Sequence, residues 1–396
     1  MEVRRGYKQT EVGLIPDDWG VKSLGQLGNP VRGASPRPAG DSRYFNGSFI
    51  PWLTVAALTN IPASQINVTE TSGYLTYEGS LFSRTLNPGT LIIANSGATL
   101  GIAKILGIKC CANDGIAAIL NISKDICATY LAHSINMKTT YLREVVATGN
   151  GQPNLNTNLI GGFKIPIPPT IKEQEAISKV LNDIDALIET LEKLIAKNNY
   201  LKQGAMNELL TGKKRLSGFS RKWETKKLGD IVKVEKGWLI TQNTTVAGQI
   251  PVIAGGKEPA YFHNQANRYG KTITISGSGA NAGYVSFFNI PIFASDCSTI
   301  SEGPDYDLKF IYYVLLLNQD TIYKTQTGGA QPHVHPSDLK MLVITTPEMK
   351  KEQTAIAAIL NDMDVEIKAL EDEVGKYKSI KQGMMQQLLT GRIRLI

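Results

Sequence analysis

Two segments of this 396-residue chain are near copies of each other. Lys172 to Leu216 reads KEQEAISKVLNDIDALIETLEKLIAKNNYLKQGAMNELLTGKKRL, and Lys351 to Leu395 reads KEQTAIAAILNDMDVEIKALEDEVGKYKSIKQGMMQQLLTGRIRL. They align without a gap, and roughly half the positions are identical. The same register reaches back to Thr148-Gly-Asn-Gly-Gln152-Pro153 against Thr327-Gly-Gly-Ala-Gln331-Pro332. An offset of about 179 residues is far longer than the roughly 20 to 50 of solenoid repeats. A two-part module has been duplicated.

Each near-identical stretch reads as one long helix. In the second copy Ile356, Leu360, Met363, Ile367, Leu370 and Val374, followed by Tyr377, recur in alternating steps of four and three, the seam of a coiled coil. The first copy keeps that seam with Ile177, Leu181, Ile184, Ile188, Leu191 and Ile195, then places Asn198 where Tyr377 stands. A polar residue there either fixes register or marks a frayed, solvated position. Val180, Leu187 and Leu194 widen the apolar face of the first helix, where the second has Ile359, Glu366 and Glu373.

The remaining segments, 1 to about 165 and about 217 to 345, are richer in Gly, Pro, Asn, Ser and Thr, with β-branched runs such as Thr90 to Ala94 and Lys271 to Ile275. They predict compact, strand-rich domains with long loops, and they are distant copies of one another. Trp19 with Lys22, Leu24 and Gly25 answers to Trp223 with Lys226, Leu228 and Gly229. Ser96-Gly97-Ala98-x-x-Gly101 recurs as Ser278-Gly279-Ala280-x-x-Gly283, and Ala112-Asn113-Asp114 meets Ala294-Ser295-Asp296. A short helix is expected near Asp125 to Asn136 and near Asp307 to Asn318, each with its leading aspartate as N-cap. The helices have stayed alike while the domains between them have diverged.

Composition narrows the class further. The formal charge is +7, and nearly all of the surplus lies outside the helices, a distribution compatible with phosphate binding. The four cysteines, Cys110, Cys111, Cys127 and Cys297, contain no C-x-x-C pair and read as thiols of a reducing cytosol. His333 and His335 alternate on one face but lack a third ligand, so no metal is expected. Met1 to Gly13 has no apolar core of a signal peptide, and no stretch is apolar enough to span a membrane, so the expected compartment is the cytoplasm.

Lys172 to Leu210 as a helix measures about 58 Å. Two unlike domains on two matched rods describe a ruler with two different reading heads, able to address DNA half-sites between one and two turns apart. The residues also resemble a known family. Domain and helix alternate twice, with Glu-Gln openings (Glu173-Gln174, Glu352-Gln353), Leu-Asn-Asp-x-Asp cores (Leu181 to Asp185, Leu360 to Asp364) and Leu-Leu-Thr-Gly endings (Leu209 to Gly212, Leu388 to Gly391). An Ile-Pro-x-x-Trp string, Ile15 to Trp19, precedes the first domain, and Phe219 to Trp223 is its degraded second copy. This pattern resembles the specificity subunit of type I restriction-modification systems.

The resemblance implies an α+β fold: two similar strand-rich α/β target-recognition domains separated by two long antiparallel coiled-coil helices, with pseudo-two-fold symmetry. It implies domain boundaries of 1–165 and 217–345, with spacer helices in 166–216 and 346–396. It implies double-stranded DNA as ligand, two methylation subunits and motor-nuclease restriction subunits as partners, and no cofactor in this chain. S-adenosylmethionine, ATP and Mg²⁺ would sit on the partners.

No catalytic motif in the sequence is complete. Gly277-Ser-Gly279-Ala-Asn-Ala-Gly283 misplaces its last glycine for a dinucleotide loop, and its counterpart Asn95-Ser96-Gly97 lacks the first, so a turn is the better reading. Asp305 and Asp307 with Lys309 stand too close together for a metal nuclease, and Asp307 as a helix cap explains them better. No Walker loop occurs. Arg or Lys suits guanine, and Asn or Gln suits adenine, in major-groove readout. Candidate DNA contacts are therefore Arg32, Arg37, Arg43, Asn95, Ser96 and Lys104 in the first domain, and Lys236, Lys257, Asn264, Arg268 and Asn281 in the second. Gln152 and Gln331 recur in both copies, which points to a shared structural or partner-contact role. Two rival readings remain: a coiled-coil scaffold without DNA specificity, and a self-sufficient methyltransferase or nuclease.

Overall fold

The structure, a computed structural model, describes residues 5–147, 153–328 and 331–395. Gln152 lies outside them. The chain divides into two units: Met1–Leu194 with Glu371–Ile396, and Ile195–Leu370. Both long helices are unbroken over 39 residues, Ile171–Leu209 and Lys350–Leu388, and each contributes one half to either unit.

In the first unit a five-stranded mixed sheet runs in the order Asn29–Arg32, Ile116–Leu120, Leu91–Ala94, Ala103–Leu106, Asn67–Val68. Alternate residues of a strand face opposite sides, and here both sides are covered. Leu91, Ile93, Ala103, Ile105, Ala117 and Ile119 pack on one face against the helix Ala128–Asn136, with Trp19, Leu24, and Ile177 and Leu181 of the first long helix. Leu388 and Leu389, at the end of the second long helix, complete that core. On the other face Ile92, Ala94, Leu106, Ile116 and Ala118 meet Leu53, Leu86, Cys110 and Ala112 of a second sheet. That sheet runs Gly73–Leu75, Phe45–Leu53, Cys110–Ala112, Arg84–Leu86.

The second unit repeats this frame with fewer strands. Its four-stranded sheet runs Glu235–Lys236, Cys297–Ser301, Thr272–Ser276, Val285–Phe288, and its three-stranded sheet Tyr261–His263, Ile250–Ile253, Phe293–Ala294. The parallel pairing of Phe45–Leu53 with Cys110–Ala112 recurs as Ile250–Ile253 with Phe293–Ala294. A two-stranded ribbon also recurs, Gly20–Ser23 with Lys164–Ile167 and Trp223–Lys227 with Val343–Pro347. Ile273, Ile275, Val285 and Ile300 pack against the helix Leu308–Leu317, Ile356 and Leu360, and Met206, Leu209 and Leu210. The opposite face of the central strand carries buried Thr272, Thr274 and Ser276, the last two where the first unit has Ile92 and Ala94.

Within each unit the helix halves run antiparallel. In the first, Lys381 Nζ lies 2.6 Å from Asp185 and Lys378 Nζ 2.8 Å from Glu192. In the second, Lys202 pairs with Asp364, and Asn198 Nδ2 donates to Glu366 at 3.0 Å. Partner numbers fall on one helix as they rise on the other. The seam residues Ile177, Leu181, Ile184, Ile188, Leu191, Ile356, Leu360, Ile367 and Val374 are buried, and Ile195, Met363 and Leu370 half-buried. Half-buried Asn198 is held by its bond to Glu366, while Leu187 and Leu194 of the widened face are exposed.

The two short helices start differently. Asp307 caps Leu308–Leu317 through Phe310 N at 2.9 Å, but Cys127, not Asp125, is the N-cap of Ala128–Asn136. The long helices supply what is common to both. Gln174 accepts from Cys127 N at 2.9 Å and Gln353 from Asp307 N at 2.8 Å, so the Glu-Gln openings dock one short helix each.

Candidate nucleic-acid interface

Three loops converge at corresponding places in the two units. In the first, Gly33 N donates to Ile116 O (2.8 Å) and Ala34 N to Ala112 O (2.9 Å). A β-carbon at Gly33 would stand 2.1 Å from Asn113 O, so only glycine lets the strands approach this closely. In the second, Gly237 N donates to Cys297 O (2.8 Å) and Trp238 N to Ala294 O (2.9 Å), and a β-carbon at Gly237 would meet Ser295 O at 2.2 Å. The Ser-Gly-Ala-x-x-Gly segments are hairpin turns with left-handed glycines: Gly97 and Gly101 at φ +77° and +83°, Gly279 and Gly283 at +82° and +87°. Each joins two antiparallel strands, not a strand to a helix, so a dinucleotide loop is not what the spacing encodes.

Around this common frame the chemistry differs. Ser35 Oγ donates to Asp114 Oδ1 at 2.6 Å, and Arg37 and Arg32 lie 3.4 Å and 4.0 Å from Oδ2. The Ser35 bond, with the two guanidinium charges, holds the Asp114 carboxyl below its ordinary range. Arg43 forms its own pair with Asp41 at 2.7 Å and lies over the Tyr44 ring. In the second unit Ser278 donates to Asp296, and Lys236, Trp238 and Leu239, around Gly237, are exposed.

Several candidate contacts turn out to be interior. Lys104 is only 2% exposed, and its ammonium donates to Pro62 O (2.8 Å) and Gln65 O (2.5 Å). Burial pushes its pKa down to about 8. Asn95 is also 2% exposed, with Nδ2 donating to Asp114 O at 3.2 Å. Both hold loops in place, and their burial corrects the expectation of surface contacts. Arg268 braces the second unit: it bonds Thr299 Oγ1 (2.9 Å), Asn267 O (2.8 Å) and Lys236 O (3.2 Å), and pairs with Glu235. Ser96 and Asn281 are half-buried in the hairpin turns, and Lys257, Asn264 and Gln331 are exposed.

A second constellation, missed from sequence, sits where the repeat motifs end. Buried Glu173 accepts from Arg394, which also takes Asp18 at 2.9 Å and lies 5.7 Å from the Trp19 ring. Buried Glu352 accepts from Arg215 at 2.7 Å, which lies 5.7 Å from the Trp223 ring. The signal was present: Arg215 and Arg394, Glu173 and Glu352, Trp19 and Trp223 all recur. Among the described residues no three His, Cys, Asp or Glu side chains form a metal site. The cysteines are free, and burial pushes the Cys110 and Cys297 thiols up to about 12. Among the described residues no helix is long and apolar enough to cross a membrane.

The sequence pattern of the type I restriction modification DNA specificity domain matches the chain twice, over residues 16–200 and 220–381. The MjaVIII specificity subunit of Methanocaldococcus jannaschii is 24% identical over 98% of this chain and 96% of its own length. The MjaIX specificity subunit of the same organism is 32% identical over 58% of this chain and 55% of its own length. The crystal structure of the type I system S subunit from M. genitalium shares the fold, with a TM-score of 0.69 across 98% of both chains at 14% identity. This chain belongs to the type I restriction-modification DNA specificity family, as a DNA sequence-recognition subunit.

Proposed function

We propose that segments 1–165 and 217–345 are target-recognition domains that each read one half of a bipartite, asymmetric double-stranded DNA target. The helical segments 166–216 and 346–396 set the spacing between the halves and dock two methylation subunits. Restriction subunits join that core in the cytoplasm. This chain is the non-catalytic part of the assembly; adenine N6 methylation with S-adenosylmethionine, and ATP- and Mg²⁺-dependent motor work, fall to the partners. Arg32, Arg37 and Arg43 in the first domain, and Lys236, Lys257 and Asn264 in the second, are exposed and remain the candidate DNA contacts.

One observation carries the reading: the glycine-cradled frame at Gly33 and Gly237 is common to both units, while the residues mounted on it are unlike. Two copies of one frame with different fittings suit two different half-targets. Methylome sequencing of a host carrying this gene with its partners should return one asymmetric two-part motif. A single continuous motif would end the proposal. Inserting one heptad after Leu194 and one after Leu370 keeps the seam in phase and adds about 10 Å to each rod. Both half-targets should be retained and the gap between them altered; changed bases with an unchanged gap would refute the division of labour.

A further inference from the structure

We propose that Trp238 and Leu239 form an apolar wedge that enters a base step of the half-target read by the second unit. This rests on the DNA-reading function proposed above. Trp238 is 67% exposed and Leu239 80%, whereas Trp19 and Trp52 are buried and Trp223 is half-buried. Holding two large apolar side chains in water is unfavourable, and a loose loop would fold them inward.

This loop is not loose. Gly237 N and Trp238 N donate to Cys297 O and Ala294 O, Ile240 N donates to Ser295 Oγ at 3.1 Å, and Tyr261 Oη donates to Ile240 O. The Arg268 guanidinium holds Lys236 O at 3.2 Å. The backbone on both sides of the pair is therefore fixed, so the side chains are presented in a set direction.

The surroundings favour a polyanion over a protein partner. From Lys236 to Lys257 the chain contains no Asp or Glu, the preceding Glu235 is paired with Lys233 and Arg268, and Lys236, Gln242, Asn243, Gln249 and Lys257 are exposed. Cations and amides next to an apolar tip are the equipment of proteins that insert a side chain between bases while gripping the backbone. The first unit has Ala34-Ser35-Pro36-Arg37 at the same place, with Ser35 and Arg37 turned to Asp114. The frame does not require the pair, so it is specific to one reading head. A wedge favours steps that unstack readily, and it would add shape selectivity to the second half-target alone.

The test uses the assembled methyltransferase and the target found by methylome sequencing, with 2-aminopurine placed at successive positions of the second half-target. Trp238→Ala should weaken cognate binding about 10- to 100-fold without changing its salt dependence. It should abolish a fluorescence rise that the unaltered complex gives at one step, and Trp238→Phe should keep most of both. Unchanged affinity and fluorescence in Trp238→Ala and in the Trp238→Ala, Leu239→Ala double variant would overturn the wedge. So would loss of subunit assembly, which would make the pair a protein contact. If the unaltered complex protects no second half-target, the DNA-reading function itself fails, an outcome separate from any variant's.

Discussion

The clasp of the first unit takes its arginine and tryptophan from segments far apart in the sequence, whereas that of the second takes them from one short stretch, and the two are built accordingly. Arg215 and Trp223 belong to one stretch of chain, and Glu352 receives both the guanidinium and the Trp223 Nε1 proton at 3.3 Å. Arg394 and Trp19 are far apart in sequence. Here the guanidinium grips two carboxylates, Glu173 and Asp18, and Tyr7 Oη donates to Gly391 O at 3.1 Å. Lys222 stands where Asp18 would fall in the second copy. Segments this far apart in sequence gain little proximity from the chain between them, and loop closure costs entropy; here a second carboxylate and a tyrosine add to the contact.

The comparison breaks most visibly if the arginines are removed. Arg394→Ala leaves Glu173, 2% exposed, without its cation, and a stranded buried charge costs about 3–5 kcal/mol. Arg215→Ala leaves Glu352 with the Trp223 N–H, so its loss should fall at the lower end of that range. Thermal melts with hydrogen exchange resolved by unit would measure both; equal losses would show that the indole bond is immaterial. Asp18 is held below its ordinary range chiefly by its bond to Arg394. Its contribution is present above the unfolded carboxylate pKa and lost as pH falls through the folded one.

A smaller difference separates the two short helices. Six residues beyond the backbone amide that each long helix captures stand His133 and Tyr313. His133 Nε2 lies 2.9 Å from Asn182 Oδ1, and Tyr313 Oη donates to Asp364 at 2.7 Å. Burial pushes the His133 pKa down to about 4, so the folded imidazole is neutral while the unfolded one, near 6.5, takes up a proton first. Stability from this group is complete above pH 6.5 and is lost as pH falls toward 4, about 2 kcal/mol by pH 5. Unit-resolved exchange at pH 7 and pH 5 should show the first unit weakening, and His133→Gln should remove that part of the pH dependence. Equal weakening of both units in the variant and the parent would assign it elsewhere.

The rods were legible because a seam with alternating steps of three and four needs only the order of residues, and the Asp307 cap was legible because its acceptor is local. Cys127 and Lys104 were not. The amide of Cys127 is satisfied by Gln174, forty-seven residues on, and the Lys104 ammonium by carbonyls of a loop about forty residues back. Nothing near Lys104 in sequence marks its strand as covered on both faces, so sequence alone makes its charge look like a surface charge. The paired Arg-Glu-Trp clasps were spelled out twice in the repeat, yet only the fold brings the end of each helix to the start of the other.

The least effect, and the finest comparison, concerns cations that differ in what already occupies them. Lys236 is exposed at the reading loop, Arg37 is exposed but leans on Asp114, and the Arg268 side chain is 11% exposed and engaged on all sides. A phosphate contact contributes about one unit to the slope of log affinity against log salt. Lys236→Ala should therefore lower that slope by about one, and Arg37→Ala by less, because Asp114 already offsets part of its charge. Arg268→Ala should leave the slope nearly unchanged and lower the melting temperature of the second unit, since its donors serve Thr299, Asn267 and Lys236. Binding titrations at several salt concentrations, run beside melts, separate the three. A full unit lost in Arg268→Ala at unchanged stability would mean that this guanidinium leaves its protein partners for a phosphate when DNA arrives.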